Sequence, residues 1–146
     1  MTRMLVDSDV VIAAMAKGEV QTEDSVQVMQ GLLDQRFQGV TTPVIMANIQ
    51  YVFGRKWERK KNVPDRDRVV KAMGILLPLF TMIPLAPADF YASMASGFQD
   101  LEDGLQHFAA LHSGKVDGII TCNPKDFKTA SQLQVYEPGE FATAFL

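Results

Sequence analysis

Five short apolar runs, each set off from the next by a longer stretch of helical periodicity, constrain this chain most. The runs are Arg3 to Val6, Val40 to Thr42, Thr81 to Leu85, Asp117 to Thr121 and Val135 to Tyr136. They are too short for helices and are not cleanly alternating, which is the look of strands covered on both faces. Between the first two, Ser8 or Asp9 can cap a helix carrying Val10, Val11, Ala14 and Met15, with Lys17-Gly18 as its stop. A second helix opens at Asp24 or Ser25 and places Val26, Met29, Leu32, Leu33 and Phe37 at three- and four-residue steps, up to Gly39. Pro43 suits the first turn of a third, with the following basic run as its exit. Further helices are expected from Pro64-Asp65 to about Leu77, from Pro87 to Met94, over Asp100 to His112, and from Pro138 onward. Asn123-Pro124 reads as a turn.

Strands alternating with helices predict an α/β fold: one three-layer domain over residues 1–146, with a mainly parallel central sheet flanked by helices. Composition agrees. At 146 residues and 47% hydrophobic content the chain can bury a core without staples, and it is not disordered. The single cysteine, Cys122, excludes an internal disulfide and a Cys-based zinc cage. The longest uncharged stretch, Ala72 to Ala88, is broken by Pro78, Pro84 and Pro87, so no membrane span is expected. Asp7 and Asp9 cut short the opening apolar run, unlike a signal peptide. A soluble cytoplasmic protein is the expectation.

Ligands of such sheets bind beyond the carboxyl ends of the strands. There the sequence places Asp7, Ser8 and Asp9 after the first strand, and Asn123 and Asp126 after the strand that ends at Thr121. Asp100 and Asp103 share one side of the first turn of a helix that also carries Glu102. Singly, each is accounted for as a cap, a first-turn acid or a turn former. Gathered at one edge, Asp7, Asp103 and Asp126 would repel until protonated or bridged by a cation. Oxygen donors without a His or Cys cluster favour Mg²⁺ or Mn²⁺. Such an ion can activate water against a phosphodiester.

Charge along the chain points the same way. The formal net charge is −3, yet Arg55 to Lys71 carries a net +5, leaving −8 elsewhere. Arg55, Lys56, Arg59, Lys60 and Lys61 form a basic arm suited to RNA phosphates, or a solvated helix end.

The blocks LVDSDVVIAA, DLEDGLQHFAA and VDGIITCNPKDF resemble, in that order, the signature segments of the PIN domain family. The resemblance implies a metal-dependent ribonuclease, in some members the toxin of a toxin–antitoxin pair. It implies Asp7, Asp103 and Asp126 as metal ligands and Asn123 as a further catalytic residue, with Ser8 and Asp100 in support. It also implies an RNA substrate, an antitoxin protein as partner and a homodimer, for which the C-terminal FATAFL is a candidate contact. Asp9 stands where the family usually has Asn. Asn48 stands where it usually has Glu, which keeps an acceptor oxygen but loses a charge. Asp100 or Glu102 are the residues available to compensate. Two alternatives follow: a weakened PIN-fold module that binds RNA or protein without cutting, and a small haloacid dehalogenase-like phosphatase with Asp7 as nucleophile.

Other residues read more plainly. His112, on an apolar side, reads as a core histidine, and His107 stands one turn beyond Asp103, near enough to meet substrate. Trp57 can stack a base or cap the core, and Cys122 reads as an inert thiol.

Overall fold

A computed structural model describes residues 1–16 and 21–146 of the chain. Its strands are β1 (Arg3–Val6), β2 (Gln38–Thr41), β3 (Glu58–Lys60), β4 (Val63–Pro64), β5 (Phe80–Met82), β6 (Gly118–Ile120) and β7 (Gln134–Tyr136). Its α-helices are α1 (Ser8–Met15), α2 (Thr22–Leu33), α3 (Pro43–Lys56), α4 (Arg66–Leu76), α5 (Pro87–Met94), α6 (Leu101–Ser113), α7 (Pro124–Lys128) and α8 (Pro138–Phe145). Five strands form one sheet in the order β5-β2-β1-β6-β7, every neighbouring pair parallel. The expected α/β architecture is what the chain adopts. Met4, Leu5, Val6, Ile119 and Ile120 on the inner strands β1 and β6 are all buried, which explains why these strands are apolar without alternation.

The strand order fixes where a site can form. From β1 the chain moves outward through β2 to β5, then returns to lay β6 on the other side of β1. The order reverses between β1 and β6, so a crevice opens beyond their carboxyl ends. Met4 pairs with Gly118 and Val6 with Ile120, and the Asp7 N–H donates to the Ile120 carbonyl at 2.9 Å. Asp7 and Thr121 thus leave the sheet side by side.

Helix α6 brings the late acids to the same edge. Asp100 caps it, its Oδ1 accepting from the backbone N–H groups of Glu102 (2.9 Å) and Asp103 (3.2 Å). Gly104 lies so close to α5 that a Cβ there would collide with the Ser93 hydroxyl and crowd Phe98. The Ser93 hydroxyl donates to the Leu101 carbonyl at 2.8 Å and pins the first turn of α6 to α5. Gly114, at φ 63°, closes the helix in the left-handed conformation that glycine adopts without penalty.

Several elements differ from the sequence reading. Asp7 itself, not Ser8 or Asp9, caps α1. The expected stop at Lys17-Gly18 lies outside the described residues. Helix α2 ends at Leu33, and Gln35 turns the chain at φ 55°. Phe37 still reaches the core from beyond the helix, edge-on to Phe141 at 4.9 Å, so its periodic position was right for burial and wrong for helix. The basic run does not simply trail off α3. It folds into the antiparallel hairpin β3-β4, turned by Asn62 at φ 62°. Asn123-Pro124 opens the short helix α7 rather than a bare turn. The C-terminal run packs back on its own chain: Phe141 is buried, and Arg36 Nη2 donates to the Leu146 carbonyl at 3.0 Å. Among the described residues, no helix is long and apolar enough to cross a membrane.

Candidate active site

The site is built around one hydroxyl. Thr121, fully buried at the end of β6, sets its Oγ1 2.9 Å from Asp7 Oδ2 and 3.2 Å from Asp9 Oδ2. A hydroxyl has one proton, so it cannot satisfy two carboxylates fully. The same Oγ1 accepts the Asn123 N–H at 3.1 Å. Asp7 Oδ1 takes the Ser8 N–H at 2.7 Å, and Asp9 Oδ1 takes the Cys122 N–H at 3.1 Å. Ser8 is buried, and its Oγ accepts from Asn48 Nδ2 at 2.9 Å.

Electrostatics show the strain of this arrangement. The Asp7 carboxyl is pushed up to about 8, first by burial and then by the charges of Asp9 and Asp103, against the pull of its hydrogen bonds to Thr121 and Ser8. Asp9 is also raised by burial, opposed by the Cys122 N–H and Thr121. Asp103 is pushed up to about 7 by burial, then by Asp100, Asp126, Glu102 and Asp9. Asp7 and Asp9 at the end of β1 and Asp103 on α6 therefore repel one another, and Asp126 adds its charge against Asp103 alone. Among the described residues, neither Asp7 nor Asp9 has an ion-pair partner in Lys, Arg or His.

The remaining expected residues are placed as follows. Asn123 is exposed at the cap position of α7, held by its backbone, and its side chain makes no capping bond. Asp100 is occupied in capping α6, and Glu102 is exposed. Arg55, Lys56, Arg59, Lys60 and Lys61 are exposed at the end of α3 and along the hairpin, with Arg55 roughly 10 Å along the helix from Asn48.

His112, expected in the core, is not the core histidine. His107 is the buried one: its Nε2 accepts the Gln132 N–H at 2.9 Å, and burial pushes it down to about 4. It braces the loop before β7 rather than facing a substrate. His112 is half exposed and pairs through Nδ1 with Asp89 Oδ1 at 2.6 Å, tying α6 to α5. Trp57 caps the core, stacked on Phe53 at 4.3 Å with the Arg68 guanidinium 4.2 Å from its ring centre. Burial pushes the Cys122 thiol up to about 12, consistent with an inert thiol.

Sequence reasoning missed two residues. The sequence offers Asp9 as a cap at the binding edge and assigns it no ligand role, yet it faces Asp7 across Thr121. Gln106, buried one turn beyond Asp103, accepts the Thr42 hydroxyl at 2.5 Å and so ties α6 to the start of α3. The DSD pattern and the three-residue step from Asp103 were the available signals.

The donor set suits a hard divalent cation: carboxylates that crowd one hydroxyl, with neutral oxygens beside them. Among the described residues, no three His, Cys, Asp or Glu side chains close into a ready-made cage. Mg²⁺ commonly takes one or two carboxylates and keeps several waters, so an open pair fits it.

The PIN domain family description matches residues 3–125. The chain belongs to the PIN domain family. The dehalogenase-like alternative gives way to that assignment. The chain is 28% identical over 144 residues to Ribonuclease VapC1 of Aquifex aeolicus (strain VF5), covering 95% of this chain and 92% of that protein. Among solved structures, it is similar to one of FitAB bound to an IR36 DNA fragment, with a TM-score of 0.69 at 15% identity over 93% of this chain and 95% of that one. It is similar too to a toxin–antitoxin complex from Klebsiella pneumoniae, with a TM-score of 0.63 at 17% identity over 92% and 97%. At these identities the PIN-fold structures speak for the fold alone.

Proposed function

We propose that this chain is a Mg²⁺- or Mn²⁺-dependent endoribonuclease of the cytoplasm, the toxin half of a toxin–antitoxin pair. The observation that carries this reading is the carboxylate pair on Thr121 at the topological switch point, within the field of Asp103. The ribonuclease name of the VapC1 relative and the complex from Klebsiella support it. Asp7 would hold the ion, with Asp103 and Asp126 meeting it directly or through its waters and Ser8 and Asn123 shaping the pocket. When bound, such an ion supplies an activated water and charge stabilisation for phosphodiester hydrolysis. The chain's own residues do the rest. Thr121 fixes the Asp7 carboxylate, Asn48 fixes Ser8 through its amide, and the basic hairpin positions phosphates of the substrate.

Cleavage of mixed RNAs by micromolar protein in Mn²⁺, absent in chelator, is the expected result. RNA left intact under every metal condition would overturn it. RNA binding without cutting, unchanged in Asn48→Glu, would favour the non-catalytic module that the neutral Asn48 suggests. Charge reversal of Arg59, Lys60 and Lys61 together is expected to weaken RNA binding at least about tenfold and to flatten its salt dependence. Unfolding temperature should hardly move, because all three are exposed.

A further inference from the structure

We propose that Asp9 is a metal-ligating residue of this site, supplying beside Asp7 the negative charge that position 48 lacks. The inference rests on the divalent-metal reading above. Asp9 is held as a functional carboxylate is held. Its Oδ1 is fixed by the Cys122 N–H at 3.1 Å, which anchors the start of α1 to the end of β6, and its Oδ2 faces the hydroxyl that Asp7 also uses. A cap or a solvated acid needs neither arrangement, and the cap position of α1 is already filled by Asp7. No cationic side chain among the described residues neutralises the pair.

The other candidates for the missing charge are poorly placed. Asp100 spends its Oδ1 on two backbone N–H groups of α6. Glu102 points to solvent on the first turn of the same helix. Asn48 is a positioning residue instead: its Nδ2 donates to Ser8 Oγ, and Ser8 is the residue between the two carboxylates. A Glu at position 48 would carry no such donor.

The test is Mn²⁺ binding to the full chain by isothermal titration calorimetry, with no RNA present. Asp9→Asn should weaken Mn²⁺ about tenfold or more, as should Asp7→Asn, while Glu102→Gln and Asp100→Asn stay within about threefold of the parent. Asparagine can still accept from Cys122 and Thr121. Asp9→Ser provides a second variant, and circular dichroism confirms folding of each. Parent-like affinity in folded Asp9→Asn and Asp9→Ser, with loss in Asp7→Asn, would overturn the role of Asp9 alone. Parent-like affinity in Asp7→Asn as well, or no Mn²⁺ binding by the parent, would overturn the metal reading itself.

Discussion

Asp7→Asn should lower metal-dependent RNA cleavage by at least about 100-fold while leaving the fold intact. The carboxylate sits where β1 meets α1, and its geometry is set from three directions: the Ser8 N–H, the Thr121 hydroxyl and the strand pairing that carries Asp7 N–H to Ile120. Asparagine keeps the shape and one acceptor oxygen, and the Thr121 hydroxyl can rotate to accept from the new amide. What is lost is the charge. An ion held by one or two carboxylates and water loses much of its affinity when one of them is neutralised, and changing a residue that only hydrogen-bonds a ligand already costs about 10–100-fold. The loss should appear both as weaker Mn²⁺ binding and as slower cleavage at saturating Mn²⁺. Thermal unfolding of the metal-free variant should be at or above that of the parent at pH 8, since a crowded buried charge has been removed. A folded Asp7→Asn protein that cleaves RNA at the parental rate would remove Asp7 from the site.

The sheet was legible because its strands are buried on both faces, so hydrophobicity alone marks them: Met4 to Val6 and Gly118 to Ile120 appear as compact apolar runs. The order of those strands was not written in any local pattern. It emerges from pairing, and pairing is what brings Asp7 beside Thr121 across more than a hundred residues of chain. The hairpin escaped the reading because Glu58 to Lys60 is a wholly exposed charged strand, with neither alternation nor β-branched residues to announce it. Helix periodicity overran at Phe37 because burial, not helical backbone, sets the period. At the site, the acid-bearing blocks could be listed from sequence, but not which of them share a proton donor. Asp9 looks like a cap by position, and only the Cys122 and Thr121 contacts show otherwise. His112 was misplaced for a similar reason. The faces of α6 are almost all buried from Gly104 to Ala110, so an apolar stripe does not single out the inward side.

Without metal, the protein should become less stable as pH rises from about 6.5 to about 8. The sign is opposite to that of an ordinary salt-bridged carboxylate. Asp7 is raised from 3.8 to about 8 and Asp103 from 3.8 to about 7, so between those limits the folded state holds protons that the unfolded chain has released. Stability then falls as pH rises, until the folded carboxyls ionise too and the curve levels. His107 acts in the other direction. Lowered from 6.5 to about 4, it adds stability as pH rises between those values and nothing further above them. The two effects oppose each other below pH 6.5, which leaves the upper window as the clean one. There Asp7 contributes a slope on the order of 1 kcal/mol per pH unit, and Asp103 less because solvent screens a half-buried group. Urea unfolding in chelator at pH 6.5, 7.3 and 8 measures it. Asp7→Asn should flatten the slope. Millimolar Mg²⁺ should reverse it, because the ion binds the deprotonated carboxylates of the folded state and stabilises that state by mass action. A metal-free curve that is flat or rises across this window would mean that the carboxyls at the ends of β1 and α6 are solvated independently, and the crowding on which an ion depends would be absent.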